Sequence, residues 1–383
     1  MAGFVGFCAT LSGLTSLGAP TRGSAYATQP RAVLRSPFRA SPITKGLLSL
    51  HLQTFPRKGK QERPLFFRIG TGSLSLAVLF WIGVVSAAFP LLRAQTGAPA
   101  SSAEEAALSR PTAVLLEERL RALAQSLDGV AGYAVKDLRS GQEWLWNADE
   151  VFATASTIKV PLLLELFRQS EQGRFRLEDE WLLEKEDLVA GSGILHALPG
   201  PLPRWRVDQL AAMMVVLSDN SATNLLLRKT GMEAVNTFLA SHNFQATRLR
   251  RKMMDLVAAR AGRENSSSPR ELVRLLEGLY QGKFLSAAAN ARLLDLLRQD
   301  KDSPLRKAVP ADIAVANKPG NVDGVWCDAG IVYLPDRPYI LAVMTKYLPR
   351  DAVGEEFIVS AGALVHSWLA RIAASNRYGR TVK

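Results

Sequence analysis

The chain has 383 residues, 48% of them hydrophobic, two cysteines and a formal net charge of +12, room for one large core or two modest ones beside a targeting segment. Cys8 and Cys327 sit at opposite ends of the chain, which argues against a disulfide framework or a cysteine zinc site. His51, His196, His242 and His366 are scattered with no H-E-x-x-H run, so neither a metal nor any other cofactor is expected.

The charge belongs to the first hundred residues. Eleven basic residues precede position 100 against one acid, Glu62, so ten of the twelve net positive charges lie there. The remainder of the chain is nearly neutral and lacks the basic stripe that phosphate binding needs, so nucleic acid is not an expected partner. Residues 1–68 are rich in Arg and Ser and poor in acids, as in a targeting segment or a misassigned start. Residues 69–94 come next as a transmembrane anchor or signal peptide: 69–92 hold no charge, and small residues suit cleavage after Ala87 or Ala94. Basic residues before this span put the body outside the cytoplasm, periplasmic or at the cell surface, anchored through 69–92 or secreted. Residues 95–111 read as a linker of small and polar residues, and a single catalytic domain is expected over 112–376.

The body opens with a helix over 114–127, where apolar residues recur at helical spacing from Leu115 to Leu127. Strands come next at 129–135 and 143–146 around a turn at Ser140 and Gly141. Helical patterns dominate from 156 to about 298. Strands return at 313–317, 329–334 and 339–345, and a helix over 356–374 closes the body. Strands at both ends with helices between predict one sheet built from both termini, with a helical subdomain inserted.

Three short motifs carry chemistry. Ser156 and Lys159 form the one S-x-x-K of the chain; at a helix start they share a face one turn apart, with the serine N–H in a positive local field. Lys159 can accept the serine proton if burial and a second cation lower its pKa. Ser218, Asp219 and Asn220 lie between two helical runs, where they suit ordinary capping as well as proton relay and amide binding. A literal K-T-G at Lys229, Thr230 and Gly231 reads as a helix stop. The better third element is Lys318, Pro319 and Gly320: it ends the 313–317 strand, and the glycine permits close approach of substrate to backbone. A plain Pro-Gly hairpin is its other reading. No G-x-S-x-G elbow is present.

S-x-x-K, S-D-N and K-x-G in this order resemble the penicillin-recognising serine enzymes, and among them the class A β-lactamases. The resemblance extends to SDNSATNLLL at 218–227, TRL at 247–249 and DAGIVY at 328–333, and covers about 112–374. It implies an α+β fold, an α/β/α sandwich with a five-stranded antiparallel sheet flanked by helices and an inserted helical subdomain, as a monomeric catalytic domain. It implies Ser156 as acyl-accepting nucleophile, Lys159 as its base, Ser218 as proton shuttle and Lys318 as positive charge. Asn220, Gly320 and Asn321 would bind substrate, with the N–H groups of Ser156 and Asn321 as oxyanion hole. The substrate would be a small β-lactam or a related peptide or ester. Two departures stand out. Met253 falls where the family carries the glutamate that aims the deacylating water, leaving Asp255 as the nearest candidate base, with Glu264 further on. Pro319 replaces the family's hydroxyl residue after the motif lysine. The first threatens turnover of the acyl-enzyme and the second β-lactam recognition. A cell-wall peptidase or esterase, a slow penicillin-binding protein and a non-catalytic envelope-anchored binding domain are the alternatives.

Overall fold

Both ends of the body meet in one sheet. The computed structural model describes residues 108–382; the readings of 1–68, of 69–94 and of most of the linker fall outside them. Among the described residues, no helix is long and apolar enough to cross a membrane.

Helix α1 spans Arg110–Gln125 and starts four residues earlier than the apolar pattern suggests, because Pro111 is accommodated in the first turn. Its buried residues Leu116, Leu120 and Ala124 recur every four positions and face the sheet core. Strands β1 (Val130–Asp137) and β2 (Glu143–Trp146) form the first hairpin. Strands β7 (Val315–Val322), β8 (Val325–Val332) and β9 (Tyr339–Lys346) come from the C-terminal part. The sheet order is β2-β1-β9-β8-β7, and each pairing is antiparallel. Between them the short strands β3 (Phe152–Ala153) and β6 (Ser266–Ser267) pair together, as do β4 (Glu180–Leu182) and β5 (Arg204–Arg206).

The sheet is apolar on both faces, and the period of two sorts its residues. Tyr133, Val135, Leu341 and Val343 pack against α1 and the C-terminal helix, Asp351–Ala373. Ala134, Ile340, Ala342 and Met344 face the other way, into the core shared with the inserted helices. Truncating the buried Leu341 to alanine costs about 2–5 kcal/mol. The insertion contributes α2 (Lys159–Glu171), α3 (Val207–Val216), α4 (Asn220–Thr230), α5 (Met232–Ser241), α6 (Leu256–Arg260), α7 (Pro269–Tyr280), α8 (Ala287–Arg298) and α9 (Pro304–Ala308). The C-terminal helix, α10, begins five residues before the start read from sequence. The α+β sandwich with an inserted helical part is the architecture expected.

One local expectation is corrected. Lys318, Pro319 and Gly320 do not come after the end of a strand; they lie inside β7, which runs on to Val322 before the chain reverses at Asp323 and Gly324. Proline is tolerated because β7 is an edge strand of the sheet, where a missing N–H need not break a ladder.

Candidate active site

Ser156 stands in a single 3₁₀ turn, Ala155–Ile158, and Lys159 is the first residue of α2. The expected helix start is thus a tighter turn, in which residues three apart eclipse one another. Ala155 has φ +45°, a left-handed conformation costing a non-glycine residue about 1–3 kcal/mol. The turn is tied down by Thr157 Oγ1, which donates to Thr154 O at 2.7 Å, and by Thr154, whose N–H and Oγ1 both donate to Asn265 O. Ser156 itself remains half-buried and reachable.

Edge strand β7 lies against this turn at Gly320. A Cβ there would collide with the backbone nitrogen of Ser156 and lie 2.8 Å from that of Thr157. Only glycine leaves the Ser156 N–H unobstructed at this crossing. Asn321 is exposed next to it, paired with Trp326 across the hairpin.

Ser218, at φ +52°, occupies the connection between α3 and α4. Asp219 caps α4 through Ala222 N, and its other oxygen accepts from the N–H groups of Ile194 and Leu195. These three bonds hold the S-D-N segment rigidly beneath the 190–195 loop. The capping and relay readings are therefore compatible: Asp219 does the capping and leaves Ser218 and Asn220 free to face the site.

Lys159 is 1% exposed and Lys318 2%. Lys159 Nζ donates to Ser218 O at 2.7 Å, Ser218 Oγ at 3.1 Å and Asn220 Oδ1 at 3.0 Å, and makes no hydrogen bond to Ser156. Lys318 Nζ reaches the same Ser218 Oγ at 3.1 Å, and Pro319 O at 3.0 Å. Burial lowers the Lys159 pKa well below the usual lysine range, and the nearby Lys318 cation lowers it further, while Asp219 opposes them. Burial brings Lys318 down to about 7, against the pull of Asp328. Asp328 is itself buried; it accepts from Leu305 N and Asn317 Nδ2, and desolvation raises its pKa.

The structure thus brings together Ser156, Lys159, Ser218, Asn220, Lys318 and Gly320. Asp255 is not among them: it is exposed and caps α6 through Ala258 N at 2.9 Å. Glu264 is also occupied, paired with Arg251 at 2.8 Å. Lys229 is exposed in the last turn of α4, with Gly231 at φ +88° closing it, as a helix stop requires.

Sequence reasoning passed over two asparagines. Asn224 lies one turn after Asn220 on α4; its Oδ1 accepts from Met253 N at 2.9 Å and its Nδ2 donates to Met253 O at 3.3 Å. Asn265 accepts from the N–H groups of Arg250 and Arg251, closing the neck of the loop that carries Met253. The i, i+4 spacing of Asn220 and Asn224 was the available signal. Met253 is 7% exposed, and the Met254 sulfur lies against Gly191.

The chain is similar to known proteins over most of its described residues. The β-lactamase enzyme family matches residues 115–369. A β-lactamase of Streptomyces fradiae is 32% identical over 287 residues, covering 70% of this chain and 92% of its own. A mutant PBP-A, solved as an acyl-enzyme complex with penicillin G, superposes with a TM-score of 0.62 at 27% identity, over 66% of this chain and 96% of that one. An ancestral class A β-lactamase gives 0.60 at 32% identity, over 65% and 98%. The chain belongs to the β-lactamase enzyme family as a divergent class A-like serine enzyme.

Proposed function

We propose that this protein is a serine acyl-hydrolase that acylates Ser156 with a β-lactam or a related amide or ester and releases the acyl group slowly. The observation that carries the reading is the convergence of two buried lysines on Ser218 Oγ, next to the turn that presents Ser156. A neutral Lys159 takes the proton of Ser156 as its oxygen attacks the carbonyl. Ser218, with one O–H and two lone pairs, passes a proton to the departing nitrogen while Lys318 holds its oxygen. The N–H groups of Ser156 and Asn321 receive the oxyanion, the first kept open by Gly320. With a pKa of about 7, Lys318 gains its proton fully when an anionic substrate docks beside it. Pro319 supplies no hydroxyl to such an anion, which favours peptides or esters as much as β-lactams. Asn220 turns its amide to Lys159 and Ala190 O, so substrate binding there exchanges one of these bonds. The body acts outside the cytoplasm as a monomer.

Intact-mass spectrometry after incubation with benzylpenicillin tests the reading. Wild type should gain the mass of the whole β-lactam in a burst equal to the enzyme concentration, followed by slow turnover. Ser156→Ala should gain nothing. Equal labelling of both would remove Ser156 from its role.

A further inference from the structure

We propose that the outer lip formed by residues 190–198, Leu217 and residues 250–263 is a docking surface for an anionic lipid bilayer. The proposal goes beyond the acyl-hydrolase reading and does not depend on it.

Among the described residues, fifteen large hydrophobic side chains are exposed, and six of them belong to this lip: Ile194, Leu198, Leu217, Met254, Leu256 and Val257. Single exposed apolar residues are ordinary, whereas several gathered from separate segments mark an interaction surface. Three contacts gather these segments. Ile194 N donates to Asp219 Oδ2 at 2.6 Å, two residues beyond Leu217. Asn220 N donates to Ser192 O at 3.0 Å. A Cβ on Gly191 would lie 3.3 Å from the Met254 sulfur, which brings the 250–263 loop against the 190–198 loop. The apolar groups of α6 face outward: Ala258 is 3% exposed and packs inward, while Leu256 is 52% and Val257 75% exposed. Leu256 and Val257 therefore contribute little to the core and are open to a partner outside it.

The charge around them is one-sided. Residues 250–264 hold five basic side chains, Arg250, Arg251, Lys252, Arg260 and Arg263, against two acids, Asp255 and Glu264, a net of +3. Arg251 pairs with Glu264. Lys252, Arg260 and Arg263 are exposed and form no ion pair among the described residues. Residues 188–203 hold no acid, and Asp219 is fully buried. Exposed leucine, valine and methionine flanked by unpaired lysine and arginine suit a bilayer with acidic headgroups. The apolar tips enter the boundary between headgroups and acyl chains, and the cations meet lipid phosphate.

The test places a nitrobenzoxadiazole label, whose emission reports local polarity, on the full chain at Val257→Cys. Cys8→Ser leaves Cys327 as the one native thiol, and it is 0% exposed. The same label at Ser367→Cys, exposed on α10 across the sheet, reports any approach to lipid that the rest of the chain imposes on the body. Vesicles are equal parts phosphatidylglycerol and phosphatidylcholine, or phosphatidylcholine alone. In the anionic vesicles, emission at 257 should shift to the blue and be quenched by lipid spin-labelled near its headgroup, while emission at 367 should do neither. Lys252→Glu, Arg260→Glu and Arg263→Glu together, all at exposed positions, should remove the shift. An aqueous spectrum at 257 in anionic vesicles would overturn the proposal. So would equal shifts at both labels, an equal shift in phosphatidylcholine alone, or a shift that survives the charge reversal. A shift without lipid that grows with protein concentration would assign the lip to a second copy of the chain and overturn it as well. The readout uses no catalysis, so failure of Ser156 to acylate would leave this outcome intact.

Discussion

Asn224 and Met253 hold each other through two hydrogen bonds, side-chain amide to backbone N–H and backbone C=O. The loop therefore keeps its path over α4 although the residue it delivers has no chemistry for water. Asn224→Leu leaves both backbone groups of a buried residue unpaired, at about 1–3 kcal/mol each. A lower melting temperature and faster proteolytic nicking within residues 251–263 are expected. If nicking stays as slow as in wild type, the loop is held by Asn265 and the Arg251–Glu264 pair alone.

Met253→Glu restores a carboxylate on an undisturbed backbone. The lifetime of a penicilloyl adduct on Ser156 should fall by about 10²-fold or more, within the range of a single general base. Mass spectra taken along a chase with unlabelled buffer read this directly, and an unchanged lifetime would place the limiting step elsewhere than water activation.

Lys318→Ala should slow acylation by about 10²-fold, the scale of one electrostatic contact in an active site. Lys229→Ala, at an exposed helix end, should leave acylation as it is and cost less than about 1 kcal/mol of stability. Stopped-flow labelling with a fluorescent penicillin separates the two; the opposite pattern would restore the literal K-T-G to the site.

Lys318 also predicts a stability slope. Its pKa falls from the usual 10.5 to about 7 in the folded protein. Between these values the unfolded chain carries a proton that the native chain lacks, so stability rises with pH across that window. Urea titrations at pH 7, 8 and 9 should show wild type gaining stability relative to Lys318→Met. Parallel curves would mean that Lys318 keeps its proton throughout. Lys159, also lowered, makes acylation rise with pH until its proton is gone. Lys159→Arg should abolish acylation, because guanidinium stays protonated.

Export is expected from the uncharged 69–92 stretch and the basic residues before it. A phosphatase fused after residue 100 should be active, and a reporter that works only in the cytoplasm should be silent at the same junction. The reverse would place the body in the cytoplasm.

What the sequence determined on its own is local. Apolar periodicity marked the first and last helices and the five strands of the main sheet to within about five residues, while the short strands β3 to β6 left no such pattern. The three-residue spacing of Ser156 and Lys159 aligned them, and the lysine-glycine end of α4 separated Lys229 from the site. These depend on neighbours within a turn or two, which the order of residues records directly. Tertiary structure decided the rest. Ser218 meets lysines 59 and 100 residues away, and their lowered pKa values arise from burial among segments that no spacing connects. The course of β7 through Pro319 depended on its place at the sheet edge, which the strand's own residues do not state. The fate of Met253 was set by an asparagine 29 positions earlier. Hydrogen bonds and desolvation act through distance in space, so partners remote along the chain become visible only once the chain is folded.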